Sequence, residues 1–220
     1  MNCLILGASG KIGKVLLKNL IAMPSDLVLG VQFNSNSSFL DELGLNSTQE
    51  TWPSEFDLNN KKIIAFKVDF NNTTDLHEFS NYIKNRFNEV DIIINLLSTF
   101  VESSIDTEES IIKNIIDTNF LNQSLFFKDI HKILSKTFIV EFLDYSIFEP
   151  YLNKYFWYSV SRYGMFGFMK TFEKYLKKNN YKTKFLYVFP KIIKGEKDIE
   201  ELSKIVINAI VSRSDGEIIF

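Results

Sequence analysis

Scarcities narrow the reading of this sequence first. Its 220 residues hold one cysteine, Cys3, so no disulfide framework exists and a reducing cytoplasm is the expected setting. The 2 histidines, His77 and His131, fall in separate helical patterns with no further ligand at metal spacing, so no metal site is expected. A net charge of −2 gives no reason to expect nucleic acid or an anionic membrane surface as a partner. The longest apolar runs, such as residues 92–94, fall far short of the ~20 residues a membrane helix needs. Lys11, Lys14 and Lys18 interrupt the N-terminal apolar residues, so no signal peptide is expected either. What remains is 45% hydrophobic and 24% charged, the balance of an ordinary globular chain, and the length suits a single domain over residues 1–220.

Glycine is also sparse, 9 in all, yet three of them are spaced with regularity at the start. Residues 3–6 read as a short apolar strand, Gly7, Gly10 and Gly13 as G-x-x-G-x-x-G, and Val15, Leu16, Leu17, Leu20 and Ile21 as the apolar side of a helix. Without a Cβ the backbone turns tightly and approaches a ligand closely. A helix opening at about Gly10 aims free N–H groups and its positive end at a phosphate, with Ser9, Lys11 and Ile12 in the same turn. A plain strand-turn-helix connection with no ligand is the alternative.

Further strands are expected at residues 27–33, 62–68, 91–95, 137–143, 184–189 and 217–220. Helices are expected after a capping-box pair at Asp75 and Glu78, over about 106–134, over about 154–178, and after a cap at Asp198. Residues from about 39 to 60 are poorly periodic and read as a short helix with an irregular excursion. Strands alternating with helices of this length require parallel pairing and right-handed crossovers. The predicted fold is therefore α/β, a Rossmann-like doubly wound parallel sheet of about seven strands with helices on both faces. Ligands bind such sheets beyond the carboxyl ends of the strands, where Gly7, Asn34, Asp69, Asn95, Asp144 and Pro190 stand.

Tyr158 and Arg162 form a second constellation, a phenol and a cation four residues apart on one helix face. A nearby positive charge favours the phenolate and lowers the tyrosine's pKa, which suits Tyr158 to pass a proton to a carbonyl that receives hydride.

Together these residues resemble the short-chain dehydrogenase/reductase family over essentially the whole chain. The resemblance makes residues 7–13 the dinucleotide turn and Asp69, with Phe70 beside it, the adenine contact. It places Asn95 and Leu96 in the family's fourth-strand motif, Asn119 as the structural asparagine of a proton relay, and Tyr158 as the catalytic tyrosine. The family's lysine is Arg162 here; arginine still holds charge and bonds a ribose but releases no proton. The family's serine is Ser146 or is replaced by Asp144, and its Pro-Gly is Pro190-Lys191. Asn95-Leu-Leu-Ser98-Thr-Phe100 and Asp144-Tyr145 are similar to stretches of the pteridine reductase subgroup, in which Phe100 would stack a flat substrate.

The resemblance thus implies a NAD(P)H-dependent oxidoreductase acting on a small carbonyl, alcohol or C=N substrate, as a homodimer or homotetramer. No acid follows the second strand, and Asn34, Ser35, Ser37 and Lys11 suit a 2′-phosphate, so NADP(H) is expected over NAD(H). The alternative is a catalytically impaired nucleotide-binding homologue that serves as a sensor or partner subunit.

Overall fold

A computed structural model describes residues 1–45, 52–191 and 193–220. Eight strands form one sheet: β1 (Asn2–Leu6), β2 (Val28–Phe33), β3 (Ser54–Leu58), β4 (Lys61–Lys67), β5 (Ile92–Asn95), β6 (Phe138–Phe142), β7 (Lys184–Phe189) and β8 (Gly216–Ile219). Their order is β3-β4-β2-β1-β5-β6-β7-β8, and every pair is parallel except β3 with β4. Among the described residues the α-helices are α1 (Lys11–Ala22), α2 (Thr73–Arg86), α3 (Glu109–Ile116), α4 (Asn122–Ile130), α5 (Phe156–Lys178) and α6 (Glu196–Ser212).

The doubly wound sheet follows from strands that are apolar on both faces. In β1, Cys3 and Ile5 face the core under α1 and α6, while Leu4 and Leu6 face the core under α2, α4 and α5. Leu16, Leu17 and Leu20 of α1 join Leu202, Val206 and Ile210 of α6 in the first core. Phe79, Phe126, Met165, Met169 and Phe172 fill the second. The winding reverses direction between β1 and β5, which opens a crevice at their carboxyl ends. No helix among the described residues is long and apolar enough to cross a membrane.

Several expected details are corrected. The eighth strand is β3, in the stretch read as an irregular excursion; a short 3-10 turn at Asp41–Leu43 is also present, and residues 46–51 of that stretch lie outside the described residues. Asn59 and Asn60 both take positive φ, 49° and 60°, and close a two-residue hairpin between β3 and β4. Glu55 of β3 is bound to Lys62 at 2.6 Å, and such charge on an edge strand discourages further pairing. The cap of α2 is Asn72, whose side chain accepts from the N–H groups of Thr74 and Asp75, so Asp75 lies inside the helix. α6 opens at Gly195, and Asp198 instead accepts from the Lys194 N–H at 2.7 Å. The helix expected over 106–134 is α3 and α4 joined by a π-helical turn at Asp117–Leu121.

Two glycines of the N-terminal turn are required by geometry. Gly7 has φ +76°, and a Cβ there would stand 3.1 Å from the Leu96 backbone across the crevice. A Cβ on Gly13 would meet the carbonyl oxygens of Gly7 and Ala8 at 2.7 Å. Gly13→Ala is expected to cost about 1–3 kcal/mol in urea unfolding, because backbone must shift. Gly167→Ala, in open space within α5, is expected to be neutral or to gain about 0.5–1 kcal/mol.

Candidate cofactor and active site

The crevice beside Gly7 is a cavity of about 280 Å³ walled by the ends of β1, β2, β4 and β5. Gly7, Ser9, Gly10, Asn34, Asp69, Phe70, Leu96 and Ser98 line it, together with Gln32, Leu97 and Thr99. Gly10 caps α1 without a side-chain bond, which leaves the first N–H groups of that helix open to an anion. Asp69 accepts from the Asn71 N–H at 2.9 Å and from the Asn34 amide at 3.4 Å. Asn34 is exposed at the rim. Other sequence candidates lie elsewhere: Lys11 and Ser35 are exposed outside the cavity wall, and Ile12 packs on the core. Pro190 is buried, and its carbonyl accepts from the Tyr145 N–H at 3.2 Å.

Gln32 was not singled out in the sequence, yet it ties three strand ends together. Its Oε1 accepts from the Gly7 N–H at 2.9 Å, its backbone carbonyl accepts from the Ala8 N–H at 2.9 Å, and its Nε2 donates to the Val68 carbonyl at 2.8 Å. A polar residue in the apolar strand Val28–Phe33 was the available signal.

Tyr158 does not line this cavity; it stands in the first turn of α5 and is 5% exposed. Its hydroxyl donates to Asp144 Oδ2 at 3.3 Å. Asp144 Oδ1 accepts from the Ser146 N–H at 2.7 Å. Burial, with the Asp144 charge adding to it, pushes the Tyr151 hydroxyl up to about 12. Ser146 is fully buried, and its hydroxyl has no partner among the described residues, so Asp144 rather than Ser146 meets Tyr158. Phe100 is 55% exposed, stacks on Tyr155 at 3.9 Å and meets Tyr158 edge-on at 4.7 Å.

Asn119, in the π-helical turn, is fully buried. Its amide donates to the Thr99 carbonyl at 2.9 Å and to Ser161 Oγ at 3.2 Å, and its Oδ1 accepts from the Thr99 N–H at 2.6 Å. It braces the loop after β5 from below.

Two electrostatic expectations change. Tyr158 was expected to be pulled down by its cation, but burial pushes it up, and the Asp144 charge adds to that against the opposing pull of Arg162. Arg162 itself is 1% exposed and turned into the protein, so it does not present its charge to a ribose in the crevice. Its guanidinium donates to the Leu97 carbonyl at 3.3 Å and to the Phe142 carbonyl. Glu141 is fully buried, and its two oxygens accept from Asn95 Nδ2 at 3.1 and 2.9 Å. Gln123 accepts from Asn95 at 2.7 Å and donates to the Leu97 carbonyl at 3.1 Å. Burial pushes the Glu141 carboxyl up, opposed by the Arg162 charge and then by the Asn95 bond. Glu141 and Gln123 were missed in the sequence; the signal was a charge inside the apolar run Phe138–Phe142.

No protein-family model and no curated protein matches the chain. Solved structures do. A short-chain dehydrogenase/reductase from Serratia marcescens BCRC 10948 superposes with a TM-score of 0.80 at 13% identity, over 100% of this chain and 95% of that one. The chain has the fold of the short-chain dehydrogenase/reductases. A short chain dehydrogenase family protein from Francisella tularensis subsp. tularensis SCHU S4 superposes with a TM-score of 0.70 at 21% identity, over 94% and 76% of the two chains. An NADH-dependent reductase responsible for alginate metabolism, A1-R′, solved with NAD, has a TM-score of 0.76 at 16% identity, over 99% and 93%.

In this short-chain-type fold the buried carboxyl of Glu141 makes stability depend on pH. Its folded pKa is raised, so the folded chain binds more protons than the unfolded chain between the ordinary carboxylate range and the raised value. This contribution therefore falls as pH rises through that window. In thermal melts from about pH 5 upward, Glu141→Gln is expected to flatten that decline.

Proposed function

We propose that the chain is a NAD(P)H-dependent reductase of the short-chain type, acting on a small carbonyl or C=N substrate. The observation that carries this reading is the Tyr158 hydroxyl, buried and held protonated by burial and by Asp144. A phenol kept neutral donates a proton, which is what the heteroatom of a reduced double bond requires.

The residues present fit the adenosine and pyrophosphate end of a dinucleotide. Gly7, Gly10 and the open end of α1 would hold the pyrophosphate, and Asp69 with Asn34 the adenosine. The bound nicotinamide would supply the hydride. Tyr158 then protonates the substrate oxygen or nitrogen, Ser98 and Asp144 orient it, and Phe100 offers an exposed ring to a flat, pterin-like substrate. Asn119 and Arg162 act behind the reacting centre, through the Thr99 and Leu97 carbonyls.

NADP(H) is favoured over NAD(H), because residues 33–38 carry no acid that would repel a 2′-phosphate. Apolar side chains left exposed on α3 and α5, Ile111, Val160 and Tyr163, support a homodimer or homotetramer.

One observation favours a second reading, a nucleotide-binding homologue without turnover: the cation next to Tyr158 is turned inward, away from the crevice. Two measurements separate the readings. NADPH is expected to raise the melting temperature more than NADH does; no rise with either removes the cofactor site. Tyr158→Phe is expected to lower carbonyl or imine reduction by roughly 10²–10⁴-fold while NADPH binding persists. Turnover by Tyr158→Phe at the wild-type rate would exclude Tyr158 as the acid.

A further inference from the structure

Helix α5 carries Tyr158 in its first turn, yet that turn has no cap of its own. The side chain at the N-cap position, Tyr155, makes no capping bond, and the first N–H groups of a helix have no partner inside it. Two of them are met from a distant loop. Ser103, which follows β5, accepts from the Phe156 N–H through its carbonyl at 2.9 Å and from the Trp157 N–H through its Oγ at 3.2 Å. Its own N–H donates to the Lys154 carbonyl at 2.6 Å, and Ser103 and Tyr155 form an isolated parallel bridge. Ser103 is buried, so water competes little for these bonds. Glu102 and Lys154 pair across the same two segments at 3.2 Å, but both side chains are exposed and such a pair contributes little.

The loop after β5 is thereby held at two points. Thr99 is bonded twice to Asn119, and Ser103 is bonded to the start of α5. Phe100 lies between these anchors, stacked on Tyr155 at 3.9 Å and edge-on to Tyr158 at 4.7 Å. We propose that Ser103 is a positioning residue for this site: it caps α5 from the loop after β5 and so holds Tyr158 in its buried place against Phe100 and Asp144. Its meaning for catalysis rests on the reading of Tyr158 as the acid; the hold on the helix start needs no ligand. Without the Ser103 hydroxyl the Trp157 N–H loses its partner, and the first turn frays where Tyr158 stands.

Nitration by tetranitromethane, which attacks accessible tyrosines, tests this on the full chain with peptide mapping. Exposed Tyr163 and Tyr175 serve as references for the reagent, and buried Tyr187 of β7 reports opening of the whole fold. Ser103→Ala is expected to raise nitration of Tyr158, relative to Tyr163 and Tyr175, by roughly tenfold or more while Tyr187 stays protected. Ser103→Thr keeps the hydroxyl and is expected to keep Tyr158 protected. Glu102→Gln removes only the exposed ion pair and is expected to leave Tyr158 protected as well. Three results overturn the proposal. One is a Tyr158 as protected in Ser103→Ala as in the wild type. Another is a rise of Tyr158 and Tyr187 together, the mark of a role in overall stability alone. The third is exposure by Ser103→Thr or Glu102→Gln equal to that by Ser103→Ala.

Should Ser103→Ala fail to fold, amide hydrogen exchange of the wild-type chain decides. The Phe156 and Trp157 amides are expected to exchange slower than unbonded amides by roughly tenfold or more, although they open the helix. Exchange of either at the rate of an unbonded amide overturns the proposal. Turnover by Tyr158→Phe at the wild-type rate would remove the acid reading while leaving the nitration pattern to decide the role of Ser103.

Discussion

The cleft depends on one constraint: the carboxyl ends of parallel strands carry backbone groups that no further strand can satisfy, and the crevice must stay open. Gln32 meets it by accepting from Gly7 and donating to Val68, while its own carbonyl takes the Ala8 N–H. Three strands are thus fixed without any side chain filling the space above them. Gly7 can then run so near the Leu96 backbone that a Cβ would stand 3.1 Å from it, tighter than ordinary contact. A loss here would close or loosen the crevice before any ligand contact was touched.

The second half of the site is held by polar groups in a dry interior. Asn119 braces the loop at Thr99, Gln123 and Arg162 share the Leu97 carbonyl, and Asn95 joins Gln123 to Glu141. Such networks are stable only when their members are paired, because low dielectric strengthens each bond and raises the cost of an orphan. The crevice wall between Leu96 and Thr99 is therefore rigid for reasons that lie below it. Burial and Asp144 keep the proton on Tyr158.

Much of the architecture was legible in the sequence because parallel strands buried on both faces leave continuous apolar runs, and because glycine spacing reflects a local backbone requirement. β3 was not legible: Ser54–Leu58 is short, alternates polar and apolar residues at an edge, and gives a weak local pattern despite the Asn59-Asn60 turn. The direction of Arg162 could not be read either. It depends on the Leu97 and Phe142 carbonyls, which the β5–β6 pairing brings near. Spacing placed Tyr158 and Arg162 on one helix face, but charge and burial around them decided which way each acts. Asp144 and Ser146 stood as equals in the sequence, and only burial separated them.

A crystal structure of the chain with NADPH tests the central claim most directly. The account predicts the pyrophosphate at the α1 N-terminus beside Gly7 and Gly10, the nicotinamide C4 facing the Tyr158 hydroxyl, and Arg162 still turned inward. A dinucleotide bound away from the Gly7 crevice, or a nicotinamide ring out of reach of Tyr158, would contradict it.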